Sequence, residues 1–384
     1  MALDGETMAA LKEAVRRYVR ERLVPLEEWV AEHDRLPPEV VEEMRAMGLF
    51  GLTVPEQFGG LGLSLPQEIE IVFELTWASL AFRSILAMNL GVGSQGLVID
   101  GTPEQRALWL PRIASGDVVT SFALTEPGSG SDSAALRTTA RRDGDDYVLN
   151  GTKRFISNAP HAGLITVIAR TSPEKLPKNG HLTAFLVPAD TPGLTVGPAD
   201  HKMGQQGAAT ADILLDDVRV PADAILGGVE GRGFATAMKV LDRGRVHVAG
   251  VCVGQAQRLI DEMLTFAQQR EAFGQPIAEF QLVQAMLADS MAEMAAARAL
   301  IRETAARYDA GERVSREASC AKMLASEMVG RVADRAVQVH GGTGYMRGVP
   351  VERMYRDVRV LRIYEGTTQI QQLVIAKDML RHGL

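Results

Sequence analysis

The sequence predicts an α+β protein in three successive parts, helical, then β, then helical again, because the spacing of its apolar residues changes twice along the chain. Between Asp4 and about Val119, apolar residues recur at intervals of three and four, the period of a helix buried along one face. From Thr120 to about Leu226 the pattern shortens to alternating or β-branched runs such as LITVIAR and LTAFLVPA, the mark of strands. After Gly231 long helical periodicity returns. The expected parts are residues 1–119, 120–230 and 231–384.

In the first part Val15, Tyr18, Val19, Arg22 and Leu23 recur at the spacing of an amphipathic helix. The breaks in this part fall at Pro37-Pro38, at VPEQFGGLGLS around Gly59-Gly60, and at Gly101-Thr102-Pro103, where proline suits a first helical turn. The middle part carries Asp143-Gly144 and Asn150-Gly151, which bracket a strand and favour a meander or small barrel over βαβ units. The last part predicts one helix from about Phe280 to Tyr308 and another from near Ser315 to Gly341-Gly342, where glycine can close it. Met286, Met291 and Met294 read as core or subunit interface, since methionine fills irregular gaps.

A chain of 384 residues suggests two or three domains, and 46% hydrophobic with 23% charged residues is a soluble globular composition. The formal net charge of −7, without a basic block, repels rather than gathers a polyanion, so nucleic-acid binding is not expected. Cys252 and Cys320 lack CxxC spacing and the seven histidines form no metal-spaced cluster, so neither a disulfide framework nor a metal is expected. A cytoplasmic location fits that cysteine usage. The first residues alternate charged and apolar positions, unlike a signal peptide. No run of about 18 apolar residues predicts a membrane helix.

Several motifs carry chemistry. ALTEPGSGSD is a polar, glycine-containing turn after a strand, where backbone N–H groups and hydroxyls can approach a flavin or phosphate. It lacks GxGxxG spacing, and ordinary turn chemistry is the alternative. In KRFISNA, Phe155 can stack on a planar ring and Ser157 can donate to its edge, or Phe155 can be a strand-end core aromatic. In QREAFGQPI, Arg270 offers a planar cation suited to pyrophosphate and Phe273 a cover for adenine or ribose; a solvated helix-end arginine is the alternative.

FALTEPGSGSDSAALRT from Phe122, LNGTKRFISNA from Leu149, QREAFGQPIAEFQ from Gln269, QVHGGTGY from Gln338 and IYEGTTQIQ from Ile363 occur in an order that resembles the acyl-CoA dehydrogenase family along nearly the whole chain. The resemblance implies an N-terminal helical domain, a central β-barrel-like domain and a C-terminal four-helix bundle, assembled as a homotetramer with FAD. It places Leu124 and Thr125 against the isoalloxazine and Ser131 near the cofactor or coenzyme A. Phe155 and Ser157 stand where the common pattern has Trp and Thr. Arg270, Phe273, Gln281, Gln338 and Gly342 match contacts to the FAD of a neighbouring subunit, and Thr367 and Gln369 match further FAD contacts.

Removing the α-proton of a thioester calls for a carboxylate base, donors on the carbonyl oxygen and an acceptor for the β-hydride. Glu365 in IYEGTTQIQ matches the base, its backbone N–H a donor, and Gly366 allows close approach of substrate. Water expelled by the acyl chain should raise the carboxyl's proton affinity. Some branches of the family carry the base instead at the position of Gly244 in LDRGR, and glycine cannot serve. The chain thus follows the short- and medium-chain pattern, in which Asp242 and Arg245 match substrate and coenzyme A contacts. His340 reads as packing at a helix end. An electron-transfer flavoprotein is the implied electron acceptor.

The alternatives within the resemblance are a redox-neutral desulfinase, a decarboxylating member or an acyl-CoA oxidase. A DNA-binding branch also exists, and the net charge counts against it. Arg83, in ASLAFRSILAMNLGVGSQ, stands among apolar neighbours and needs an anionic partner if buried. It either snorkels to solvent, pairs internally, or, as in the similar aromatic-Arg-Ser segment of glutaryl-CoA dehydrogenases, binds a distal anion of the substrate. Ala87 falls where those enzymes place a second serine.

Overall fold

A computed structural model describes residues 3–383. The first part is helical: α1 (Gly5–Tyr18), α2 (Glu27–His33), α3 (Pro38–Ala46), α4 (Leu65–Leu75), α5 (Leu80–Leu90), α6 (Gln95–Asp100) and α7 (Pro103–Ala114). Local chemistry starts several of them. The Asp4 carboxylate accepts from the N–H groups of Glu6 and Thr7, Ser64 and Gln67 form a capping box on α4, and Thr102 and Gln105 do so on α7 beside Pro103.

The middle part holds β1 (Thr120–Ala123), β2 (Thr139–Asp143), β3 (Asp146–Ser157), β4 (Leu164–Arg170), β5 (Leu182–Pro188), β6 (Leu194–Ala199) and β7 (Thr210–Pro221). They form one seven-stranded sheet in the order β1-β4-β2-β3-β7-β6, with β5 on β4. β2 and β3 pair antiparallel across a tight turn from Asp143 to Asp146, with Gly144 in the left-handed region at φ 66°. β3 and β7 keep register except at two irregularities, one of them between Lys153 and Ile156.

The last part is built on α8 (Gly233–Gln269), followed by the short strands β8 (Glu271–Ala272) and β9 (Gln275–Pro276), then α9 (Gln281–Asp309), α10 (Ser315–His340), α11 (Pro350–Val358) and α12 (Thr368–His382). α8, α9 and α10 share a core with α4 that includes Ile69, Val253, Met294, Met328 and Val332. Met291 points outward and Met286 is partly buried. His340 packs as a helix-end residue, stacked on Phe266 at 4.2 Å with Nδ1 bonded to the Ala336 carbonyl.

Three contacts lock the parts around one region. A Cβ on Gly233, at the start of α8, would lie 2.3 Å from the Ala184 nitrogen of β5, so the helix can begin there only with glycine. Asn89 of α5 accepts from the Thr120 N–H at 2.8 Å, tying α5 to β1. Asn158, after β3, donates to the carbonyls of Ser84 and Ile85. Among the described residues no helix is long and apolar enough to cross a membrane.

Candidate active site

Where α5, β1, the end of β3, α8 and the segment before α12 converge, they enclose a cavity of about 950 Å³. Of the residues singled out in the sequence, Arg83, Leu124, Thr125, Ser131, Phe155, Ser157, Arg245, Glu365 and Gly366 line it. They come from positions up to 283 apart in the sequence, so the cavity is a product of tertiary structure.

Glu365 occupies an inverted turn. Its φ is 55° and that of Gly366 is 87°, both left-handed. A non-glycine residue there is strained and needs outside support. Gln371 supplies part of it, donating at 3.0 Å to the carbonyls of both Glu365 and Gly366, and the buried Lys322 ammonium donates to the Gly366 carbonyl at 2.7 Å. With both carbonyls turned inward, the Glu365 N–H has no acceptor among the described residues. Its Oε2 is likewise buried without a hydrogen bond. Burial raises the carboxyl's pKa above the ordinary value, and Arg245, Arg83 and Lys322 only partly oppose it. Burial similarly pushes Lys322 down to about 8.

α8 passes directly beside this carboxylate. Asp242, Arg245 and Gly244 sit on one turn: Arg245 donates to Asp242 at 2.8 Å, and the bare Cα of Gly244 faces Glu365. Asp242 does not itself line the cavity; it also accepts from Ser315. Arg83 reaches the cavity from α5, and its Nε–H donates to Nε2 of His247 at 3.1 Å. That histidine bonds in turn to the buried Glu68 at 2.6 Å.

The loop after β1 forms another part of the wall. Its shape is held from behind by a buried ion pair, Lys153 to Glu126 at 2.8 Å, with Lys153 also donating to the Leu124 carbonyl at 3.2 Å. Burial opposes ionisation of Glu126, but the Lys153 charge and donors from Thr138 and Arg137 outweigh it and lower its pKa. At the irregularity in β3, Phe155 takes φ 57° and remains 59% exposed. Its ring stands at the cavity wall, where a planar ligand could cover it.

Arg270, Phe273, Gln281, Gln338, Gly342, Thr367 and Gln369 do not line the cavity. All but Thr367 are exposed, Phe273 by 94% and its neighbour Leu282 by 81%. Thr367 caps α12 through the Ile370 N–H at 3.2 Å. The residues present fit FAD. An uncovered aromatic ring and a hydroxyl-rich loop share a cavity too large for a short acyl chain alone. Sequence reasoning missed Glu68, His247, Lys322, Glu126 and Lys153. Their partners are distant in sequence, and a lone buried charge carries no local pattern.

Models described as acyl-CoA dehydrogenase N-terminal, middle and C-terminal domains match residues 5–117, 121–218 and 231–380. The chain is 40% identical over 379 residues to the cyclohexane-1-carbonyl-CoA dehydrogenase of Geobacter metallireducens, covering 99% of each. It superposes on butyryl-CoA dehydrogenase from Megasphaera elsdenii with a TM-score of 0.94 and 32% identity, over 99% of this chain and 100% of that one. A glutaryl-CoA dehydrogenase from Mycobacterium smegmatis in complex with FADH2 matches with a TM-score of 0.90 and 30% identity, over 100% and 96%.

Proposed function

The chain belongs to the acyl-CoA dehydrogenase family, and from that premise we propose that it oxidises a short acyl-CoA bearing an anionic group at its far end, with Glu365 as the base. The coarse activity follows from the family: an FAD-dependent oxidoreductase acting on a CH–CH bond of an acyl-CoA. The observation that supports the finer reading is that Arg83 and Glu365 line the same cavity, while Arg83 makes no ion pair among the described residues. Arg83 is close enough for its charge to lower the proton affinity of Glu365. A succinyl or glutaryl thioester is the substrate class this reading proposes, with its terminal carboxylate at Arg83 and its α-carbon at Glu365.

FAD, when bound, supplies the acceptor for the hydride lost from the β-carbon. The chain supplies the rest. Leu124, Thr125 and Ser131, with Phe155 and Ser157, would hold the flavin ring against the cavity wall. Glu365 takes the α-proton onto its unpartnered carboxylate, and its free N–H donates to the thioester oxygen as negative charge develops there. Gly366 leaves room for the substrate, and Arg245, fixed by Asp242, faces it from α8. Burial excludes water and raises the base toward the weak carbon acid it must deprotonate.

The exposed Arg270, Phe273, Gln281, Gln338 and Gly342, together with Thr367 and Gln369, are assigned to FAD shared across subunits of a homotetramer. Reoxidation by an electron-transfer flavoprotein and a cytoplasmic location belong to the same reading. The deciding experiment is an anaerobic titration with a panel of acyl-CoA thioesters. Bleaching of the flavin by glutaryl- or succinyl-CoA in preference to butyryl-CoA is the expected result. Turnover without bleaching would instead identify a redox-neutral elimination, and preference for butyryl-CoA would remove the anionic substrate from the proposal.

A further inference from the structure

Behind Arg83 lies a buried chain of polar groups from three helices. Glu68 on α4 is 1% exposed; one of its oxygens binds Arg243 of α8 and the other binds His247 of α8 at 2.6 Å. His247 then meets Arg83 of α5 at 3.1 Å. The direction of these bonds is fixed by chemistry. A guanidinium can only donate, so Nε2 of His247 must present its lone pair to Arg83. The single ring proton of a neutral imidazole is then on Nδ1, donated to Glu68.

Three groups face His247, and their balance agrees with a neutral ring. Burial pushes its pKa below the ordinary value and the positive Arg83 pushes it further, aided by Arg243 and opposed by Glu68. The charges then count simply. Glu68 neutralises Arg243, His247 carries none, and Arg83 keeps its full positive charge.

This differs from a direct Arg–carboxylate pair, in which orientation and charge cancellation come together. The interposed imidazole holds the Nε edge of the guanidinium without cancelling its charge. The two terminal nitrogens form the edge that suits a bidentate carboxylate, and Arg83 lines the cavity. We propose that His247 is a positioning residue that aims Arg83 and leaves its charge free, so that this end of the cavity selects a short acyl-CoA ending in a carboxylate. The inference rests on the reading of Arg83 given above.

The test uses the FAD-loaded enzyme and two variants. His247→Leu removes both hydrogen bonds, whereas the carboxamide of His247→Gln can accept from Arg83 and donate to Glu68. The ratio of kcat/KM for glutaryl-CoA to that for butyryl-CoA should fall roughly tenfold to a hundredfold in His247→Leu, mainly through KM. His247→Gln should recover most of it. An unchanged ratio in His247→Leu, or a His247→Gln enzyme as impaired as the leucine variant, would overturn the proposal. Should the leucine variant fail to fold, the glutamine variant still decides, because loss of the glutaryl preference in a folded, flavin-loaded His247→Gln enzyme counts against the relay. Wild-type kinetics and crystals of the leucine variant together separate the role of His247 from that of Arg83. A wild-type preference for butyryl-CoA sinks the anion-binding role of Arg83, whereas an Arg83 guanidinium unmoved in His247→Leu crystals sinks the positioning role of His247 alone.

Discussion

A Cβ added to Gly244 would stand 3.2 Å from Oε2 of Glu365 and 3.5 Å from its carboxyl carbon. The absence of a side chain on α8 is therefore what gives the carboxylate its place. Gly244→Ala should retain FAD yet slow flavin reduction about tenfold to a hundredfold, the scale of a small misplacement of a reacting group. The same closeness predicts that a base can be moved across the gap. Gly244→Glu combined with Glu365→Gly should recover part of the flavin reduction lost by Glu365→Gly alone, and a double variant no faster than the single one would disprove the shared space.

Glu365→Gln keeps the shape of the side chain and removes its ability to take a proton. It should bind flavin and acyl-CoA, while anaerobic stopped-flow bleaching slows by at least about two orders of magnitude. Undiminished bleaching would place the base elsewhere.

With Glu365 as the proposed base, the upward push of burial on its carboxyl predicts the pH dependence. A protonated base is inactive, so the reduction rate should fall as pH falls through a midpoint above the ordinary glutamate value of about 4.3. Lys322 opposes the shift. Removing its charge in Lys322→Met should move that midpoint higher still, and a midpoint that moves lower would contradict the electrostatic account.

Stability carries the opposite sign. Because burial raises the folded-state pKa of Glu365 above its unfolded value, its contribution is fully present below the unfolded pKa and is lost as pH rises through the folded one. Glu365→Gln escapes that loss. Its Tm should exceed that of wild type at pH 8, with the gain shrinking toward acid pH in a calorimetric series.

Arg83→Met removes the free cation while keeping a side chain that fills space. The glutaryl-to-butyryl ratio of kcat/KM should drop roughly tenfold to a hundredfold, corresponding to about 1.5–3 kcal/mol for a charge-assisted hydrogen bond. Equal losses on both substrates would make Arg83 a structural residue.

The exposed Phe273, Leu282 and Tyr345 predict association. Sedimentation of the yellow protein should give a tetramer, and Arg270→Ala should lose FAD on dilution although the cavity of its own chain is untouched. A monomer that holds FAD fully would refute the shared site.

The sequence by itself determined the succession of helical, β and helical parts, because apolar periodicity is a local property that each segment carries wherever it packs. It also carried the family resemblance and the identities of Glu365, Gly244 and Arg83, since motifs are read in short windows. Only the tertiary structure decided which of these residues meet. Glu68 and His247 are 179 positions apart, and no local pattern marks either as the other's partner. The same holds for Lys322 and Gly366, whose bond supports the inverted turn at Glu365. Burial decided the chemistry as well: a carboxyl, an ammonium and an imidazole have ordinary proton affinities in a sequence, and acquire shifted ones only when packing takes their solvent away.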